Sequence, residues 1–172
     1  MEFTQGTCVR VDDRDYGDVV QAAVERAGWR IWVSMFILDP RPTRDVAGLV
    51  LQLTDTVAAR SRLGVDVRVL TAGALSSPDI AVANLTAGLL LSDAGVPHRR
   101  LFDTGSGRRS SHAKWLVVDD RAFVGSQNWA DDGFRINTED AIMLTGPAVQ
   151  HLASEFDRLW QMGRGMPDHA AV

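Results

Sequence analysis

Apolar residues in this chain switch repeatedly between the spacing of amphipathic helices and short β-rich runs. Glycine and proline separate these segments, as expected for turns between regular elements. The helical spacing predicts helices over residues 15–27, 43–63, 79–94 and 147–162. The β-rich runs predict strands over residues 7–11, 29–38, 65–71, 99–102, 113–118, 122–127 and 139–145. Helices alternate with strands early and strands follow one another later, which predicts an α/β fold with a mixed β-sheet flanked by helices on both faces.

Length and composition favour a single domain over residues 1–172, with a frayed tail from residue 163. A chain of 172 residues with 45% apolar content can bury one good core but hardly two. The only cysteine, Cys8, leaves no internal disulfide, and the first residues lack a signal-peptide pattern, so a cytoplasmic location is expected. The longest apolar stretch, residues 80–91, is too short to cross a bilayer, so no membrane association is expected.

Positive charge is concentrated in one segment of an otherwise acidic chain. The formal net charge of the chain is -4. Residues 98–114 carry five basic side chains and one acidic side chain, Asp103, which gives this segment a charge of +4 and all other residues together a charge of -8. Such a segment could steer an anionic substrate, and Arg108 and Arg109 are the candidate substrate contacts within it. A solvated, arginine-rich loop would look the same in sequence, and that interpretation stays open.

Polar residues two positions apart lie at the ends of β-like segments, where strand geometry places both members on one face. The pairs are His112 and Lys114, Ser126 and Asn128, and Asn137 and Glu139. Each residue also has a plainer interpretation, because a lone histidine is usually a surface residue and serine and asparagine favour turns. Taken together, the three pairs predict one convergent site.

The residue types in these pairs suit attack on a phosphodiester. The imidazole of His112 is a nucleophile near neutral pH, and Lys114 can neutralise charge on the phosphate oxygens. Ser126 and Asn128 can donate hydrogen bonds to the same oxygens. A carboxylate such as Glu139, hydrogen-bonded to the other imidazole nitrogen, would orient the ring.

Other kinds of site fit the sequence less well. One cysteine and four dispersed histidines give no metal-ligand spacing, so no metal or other cofactor is expected. The serines before His112 lack the G-x-S-x-G context of a hydrolase nucleophile. Asp119 has an odd separation from His112 and Lys114, which assigns it to holding the turn at residues 119–121.

The composite motif resembles the signature of the phospholipase D superfamily. It comprises HAK at 112–114, Asp119, GSQN at 125–128 with Gly125 at its start, and Asn137-Thr-Glu139. The resemblance covers residues 9–160, including the preceding order of helices and strands. One departure is that five residues separate Asp119 from Gly125 where six are common, so a tightened turn is expected.

The resemblance implies a metal-independent phosphodiesterase that uses two motifs about a pseudo-two-fold axis. One histidine would form a covalent phosphohistidine, and the other would protonate the leaving oxygen. This chain has a single His-x-Lys, because His98, His151 and His169 are not followed by lysine two residues later. A homodimer is therefore expected, with His112, Lys114, Ser126, Asn128 and Glu139 as catalytic residues and Asn137 as a substrate contact.

Nucleic acid is the substrate class that the resemblance favours, since single-motif members of the superfamily are commonly nucleases and the arginine-rich segment precedes the motif. Two alternatives remain open. One is a phospholipid-cleaving phospholipase D, and the other is a catalytically weak nucleic-acid-binding module of a larger assembly.

Overall fold

The computed structural model describes residues 6–73, 77–102 and 111–165. Its strands are β1 (Cys8–Val11), β2 (Arg30–Met35), β3 (Asp66–Ala72), β4 (His98–Leu101), β5 (Lys114–Val118), β6 (Arg121–Gly125), β7 (Ala141–Thr145) and β8 (Arg164–Gly165). Its α-helices are α1 (Tyr16–Arg26), α2 (Leu49–Arg62), α3 (Pro78–Asp93) and α4 (Pro147–Met162), with a 3-10 turn at Asp13–Asp15 and a π-helical turn at Asp132–Ile136.

These strands form one mixed sheet in the order β1-β7-β6-β5-β2-β3-β4-β8. Strands β2, β3 and β4 run parallel to one another, and the other neighbours pair antiparallel. The parallel strands are joined by helices, as parallel crossovers require. Within the described ranges, no helix is both long and apolar enough to cross a membrane.

Alternate residues of β2 contribute to two separate apolar cores. Ile31, Val33 and Met35 pack in a core that includes buried residues of α1, α2 and α3. Trp32 packs in a second core, built on α4, where its ring stacks on Phe156 at a centroid distance of 5.3 Å. Because successive strand residues face opposite sides of a sheet, helices cover both faces, which confirms the predicted fold class.

The second helix begins later than its sequence pattern predicts. The sequence pattern starts this helix at Thr43, whose hydroxyl would cap it, but the structure has Gly48, with φ of 72°, before the first turn and no side-chain cap. The carboxylate of Asp45 instead accepts a hydrogen bond from the backbone N–H of Leu51 at 2.8 Å. Val46, which the helical spacing of apolar residues would place on the core face, lies before the helix and is 75% exposed.

The chain end also differs from expectation up to Gly165. Arg164 and Gly165 pair with Arg100 and Arg99 of β4 and so extend the sheet by one short strand. The expected frayed tail begins at residue 163, and its part from residue 166 onward lies outside the described residues.

Candidate active site

Strand register brings the predicted polar pairs to one edge of the sheet. Lys114 begins β5 opposite Met35, the last residue of β2. Gly125 ends β6 opposite Ala141, the first residue of β7. The segments that carry His112, Ser126 and Glu139 therefore leave the sheet at the same edge, beyond these strand ends.

His112 and Lys114 are in direct contact. The Nζ of Lys114 lies 3.0 Å from Nδ1 of His112 and 3.0 Å from its carbonyl oxygen. Lys114 is 9% exposed, whereas the histidine side chain faces solvent. A reactive imidazole therefore lies next to an almost buried positive charge.

The electrostatic surroundings favour the nucleophilic form of the imidazole. Desolvation, and then the Lys114 ammonium, lower the pKa of His112. Burial likewise lowers the pKa of Lys114, while the charge of Glu139 acts in the opposite direction. A lowered histidine pKa increases the neutral fraction of the ring near pH 7, and only the neutral ring can attack phosphorus.

Phe36 is a member of this site that the sequence did not single out. Its ring centroid lies 4.2 Å from that of His112, with the two planes tilted by 47°. The Nζ of Lys114 lies 5.1 Å from the same Phe36 ring. Phe36 therefore contacts both residues of the His-x-Lys motif.

Asn84 holds the backbone that carries Phe36. Its amide nitrogen donates to the carbonyl oxygens of Phe36 at 2.9 Å and Ala72 at 3.0 Å, and its oxygen accepts from the N–H of Leu38 at 2.9 Å. Asn84 is fully buried. The available signal was an asparagine within the longest apolar stretch of the sequence, which predicts a buried polar group with several partners.

Ser126, Asn137 and Glu139 form a second hydrogen-bonded group. The Ser126 hydroxyl donates to Oε2 of Glu139, and Nδ2 of Asn137 donates to Oε1 at 3.3 Å. The backbone of Asp140 holds Ser126, donating to its Oγ at 3.1 Å and accepting from its N–H at 3.0 Å. In the described part of the chain, the hydrogen bonds of Glu139 within one subunit go to these side chains, and its bond to the imidazole of His112 stays a prediction.

Gly125 permits the close approach of strands that positions Ser126. A Cβ added at Gly125 would lie 2.6 Å from the carbonyl oxygen of Asp140 and 2.9 Å from the Cβ of Ala141. Asn128, two residues beyond Ser126, is part-buried, and no hydrogen bond joins its side chain to another site residue in the described ranges. The structure therefore joins Ser126 to Glu139 but leaves Asn128 apart.

Asp119 lies at the other end of β5, away from His112. Its carboxylate accepts hydrogen bonds from the backbone N–H groups of Gly28 at 2.7 Å, Trp29 at 3.0 Å and Arg30 at 2.9 Å. Burial alone would raise the pKa of Asp119, but these bonds outweigh it and hold the pKa below its usual range. With φ of 51°, Asp119 starts the two-residue hairpin turn that links β5 to β6.

Arg108 and Arg109 lie outside the described residues. In the described ranges, no group of three or more histidine, cysteine, aspartate or glutamate side chains could hold a metal ion.

Comparison with known proteins identifies relatives of both sequence and fold. The family model for the cardiolipin synthase, PLD-like domain, matches residues 20–160. A probable phospholipase D from Caenorhabditis elegans is 38% identical over 53 residues, which make up 30% of this chain. This chain spans about a tenth of that protein, since the match covers 10% of its length.

Solved structures share the fold at low sequence identity. Nuc from Salmonella typhimurium, a phospholipase D family member, has a TM-score of 0.73 and 16% identity, covering 95% of this chain and 99% of Nuc. NucT from Helicobacter pylori has a TM-score of 0.66 and 15% identity, covering 94% and 99% respectively. Phosphatidylserine synthase from Haemophilus influenzae has a TM-score of 0.68 and 12% identity, covering 94% of this chain but 40% of the synthase.

Proposed function

The chain belongs to the phospholipase D-like domain family, as its motif predicted, and on that premise we propose that it is a metal-independent nuclease with an active site shared between two identical subunits. The observation that carries the proposal is the contact between Lys114 and His112, with Nζ 3.0 Å from Nδ1. This contact lies at the same sheet edge as the hydrogen-bonded pair of Ser126 and Glu139.

The proposed reaction has two steps. In the first, the neutral imidazole of His112 attacks phosphorus, a P–N bond forms, and the P–O bond to the leaving oxygen breaks as His112 of the partner subunit donates a proton to that oxygen. In the second, water attacks phosphorus, the P–N bond breaks, and the same partner histidine accepts the proton. Lys114 neutralises the phosphate oxygens in both steps.

A homodimer supplies the second histidine, because the chain has one His-x-Lys motif. The fold match extends over 99% of the Nuc and NucT chains, so each of those chains holds one copy of this domain. An isologous interface would bring the two copies of His112 together about a two-fold axis. Arg108, Arg109, Asn128 and Asn137 are proposed to contact the substrate near this axis.

Metal independence follows from the roles of the side chains. A divalent ion in phosphoryl transfer neutralises charge and activates a nucleophile. Here Lys114 supplies the first role, and the imidazole of His112 is itself the nucleophile. The proposed reaction is therefore complete without a metal.

A substrate panel in excess EDTA tests the proposal. The panel contains single-stranded DNA, duplex DNA, RNA, and vesicles of phosphatidylcholine with phosphatidylglycerol. We expect polynucleotide cleavage and no lipid turnover. Lipid turnover alone would support the phospholipase alternative, and binding without cleavage would support the binding-module alternative. A strict requirement for a divalent ion would contradict the proposed mechanism.

Replacing Glu139 with glutamine is expected to slow cleavage about tenfold or more and to shift its pH profile. Glu139 raises the pKa of Lys114, so loss of its charge lets Lys114 deprotonate at lower pH. The alkaline limb of the kcat profile should therefore move to lower pH. Asp140→Asn is the matched control, because that carboxylate is exposed and pairs with Arg10. If the alkaline limb of the variant's profile is the same as that of wild type, the assignment of Glu139 to the site is contradicted.

A further inference from the structure

Two arginines face each other across the last strand pair of the sheet. Arg100 of β4 is opposite Arg164 of β8. Like charges directly opposite each other in an antiparallel pair are destabilising. Within residues 6–73, 77–102 and 111–165, no ion pair includes either side chain. The arrangement would be stabilised by an anion between the two guanidinium groups.

Phe102 holds both arginines in place. The Cζ atoms of Arg100 and Arg164 lie 5.3 Å and 5.5 Å from the centroid of its ring. The ring lies against the backbone of Gly73, where an added Cβ would be 3.0 Å from three ring atoms. Cation–π contacts to one ring therefore keep the two positive groups close together.

The arginine pair lies on the same face and at the same height of the sheet as Lys114. Lys114 is opposite Met35, Met35 is beside Thr71, and Thr71 is beside Arg100. Registered neighbours direct their side chains to one face, so this row connects the reactive lysine to Arg100 and Arg164. Three strand spacings separate β5 from β4, which is roughly 14–15 Å.

We propose that Arg100 and Arg164 form a second phosphate-binding site, which holds the nucleic-acid backbone a few nucleotides from the scissile phosphate. A stacked strand advances about 3.4 Å per nucleotide, so the distance between Lys114 and Arg100 across the sheet corresponds to up to about four nucleotides. Guanidinium groups bind phosphate oxygens through paired hydrogen bonds. The inference rests on the proposed nuclease function, and it selects a polymeric substrate over a lipid with a single diester.

The test is the double variant Arg100→Gln with Arg164→Gln. For a single-stranded DNA 20-mer at low salt, we expect KM to rise about tenfold with kcat within about twofold of wild type. Loss of two phosphate contacts should reduce the salt dependence of log(kcat/KM) by about 1.4. Cleavage of a dinucleotide and of bis(p-nitrophenyl) phosphate, which cannot reach the second site, should be unchanged.

The matched control is Arg62→Gln with Arg121→Gln, two exposed arginines that change the net charge equally. Phe102→Leu, which removes the aromatic face but keeps an apolar side chain, should raise KM for the 20-mer in the same direction. Thermal unfolding checks that each variant is folded. A KM and salt slope equal to those of the control would overturn the second site alone. Failure of wild type to cleave the 20-mer, with the small diester still cleaved, would overturn the nuclease proposal and this inference together.

Discussion

Replacement of His112 by alanine is expected to lower the rate of phosphodiester cleavage by roughly 10⁴-fold or more, because it removes the proposed nucleophile. His112 is exposed beside Lys114, so its loss should leave the fold intact. Single-turnover cleavage of labelled DNA by the purified variant measures the effect. His151→Ala is the control, since that histidine is exposed on α4. Substantial turnover by the pure alanine variant would refute the assignment.

Mixing subunits makes the same substitution a test of the shared site. When wild-type and His112→Ala chains exchange freely, hybrid dimers have one imidazole and should be inactive. At equal amounts of the two chains, about one quarter of the wild-type activity should then remain, because one dimer in four carries two intact subunits. A monomeric enzyme would instead retain about half. Activity that falls in direct proportion to the wild-type fraction would contradict a site built from two subunits.

Replacement of Asn84 by alanine is the stability change with the largest expected effect. It would leave the carbonyl groups of Phe36 and Ala72 and the N–H of Leu38 without their buried partner. Several unsatisfied buried groups and a small cavity predict a loss of about 3–5 kcal/mol in the free energy of unfolding, measured by urea denaturation.

Two further variants separate hydrogen bonding from packing at this position. Asn84→Asp keeps the shape and the acceptor for Leu38, but it cannot donate to both carbonyl groups, so it should also be strongly destabilised. Ser92→Ala changes an exposed polar residue of the same helix and should alter stability by less than about 0.5 kcal/mol. A loss below about 1 kcal/mol for Asn84→Ala would show that the backbone of Phe36 is held by other contacts.

The elements with strong periodicity could be predicted from the sequence, and α4 at Pro147–Met162 has the predicted bounds. The sequence predicted that the polar pairs lie at one sheet edge, because side chains alternate between the two faces of a strand. In the structure this alternation extends as far as Lys114 and Gly125. Beyond Gly125 the chain is no longer part of the strand. For that reason this alternation could not predict that Ser126 would bond to Glu139, a contact that depends on the backbone of Asp140.

The support of the site could not be predicted because it depends on contacts between distant segments. Phe36 lies within an apolar run of β-like composition, and nothing local distinguishes it from a core residue. Asn84 contacts it from 48 positions away. The late start of α2 has a local origin instead, because Asp45 bonds to Leu51 and the turn before it is held by the ion pair of Arg41 with Asp39 at 2.7 Å.

Because the site depends on the strand register at this edge, catalytic activity depends on correct strand alignment. A slip of β5 by one residue against β2 would direct Lys114 away from Phe36 and towards the face covered by α4. A misaligned molecule could keep all its helices and show a normal circular dichroism spectrum while being catalytically silent. Specific activity per folded molecule would then distinguish native protein from misaligned protein that has the same circular dichroism spectrum.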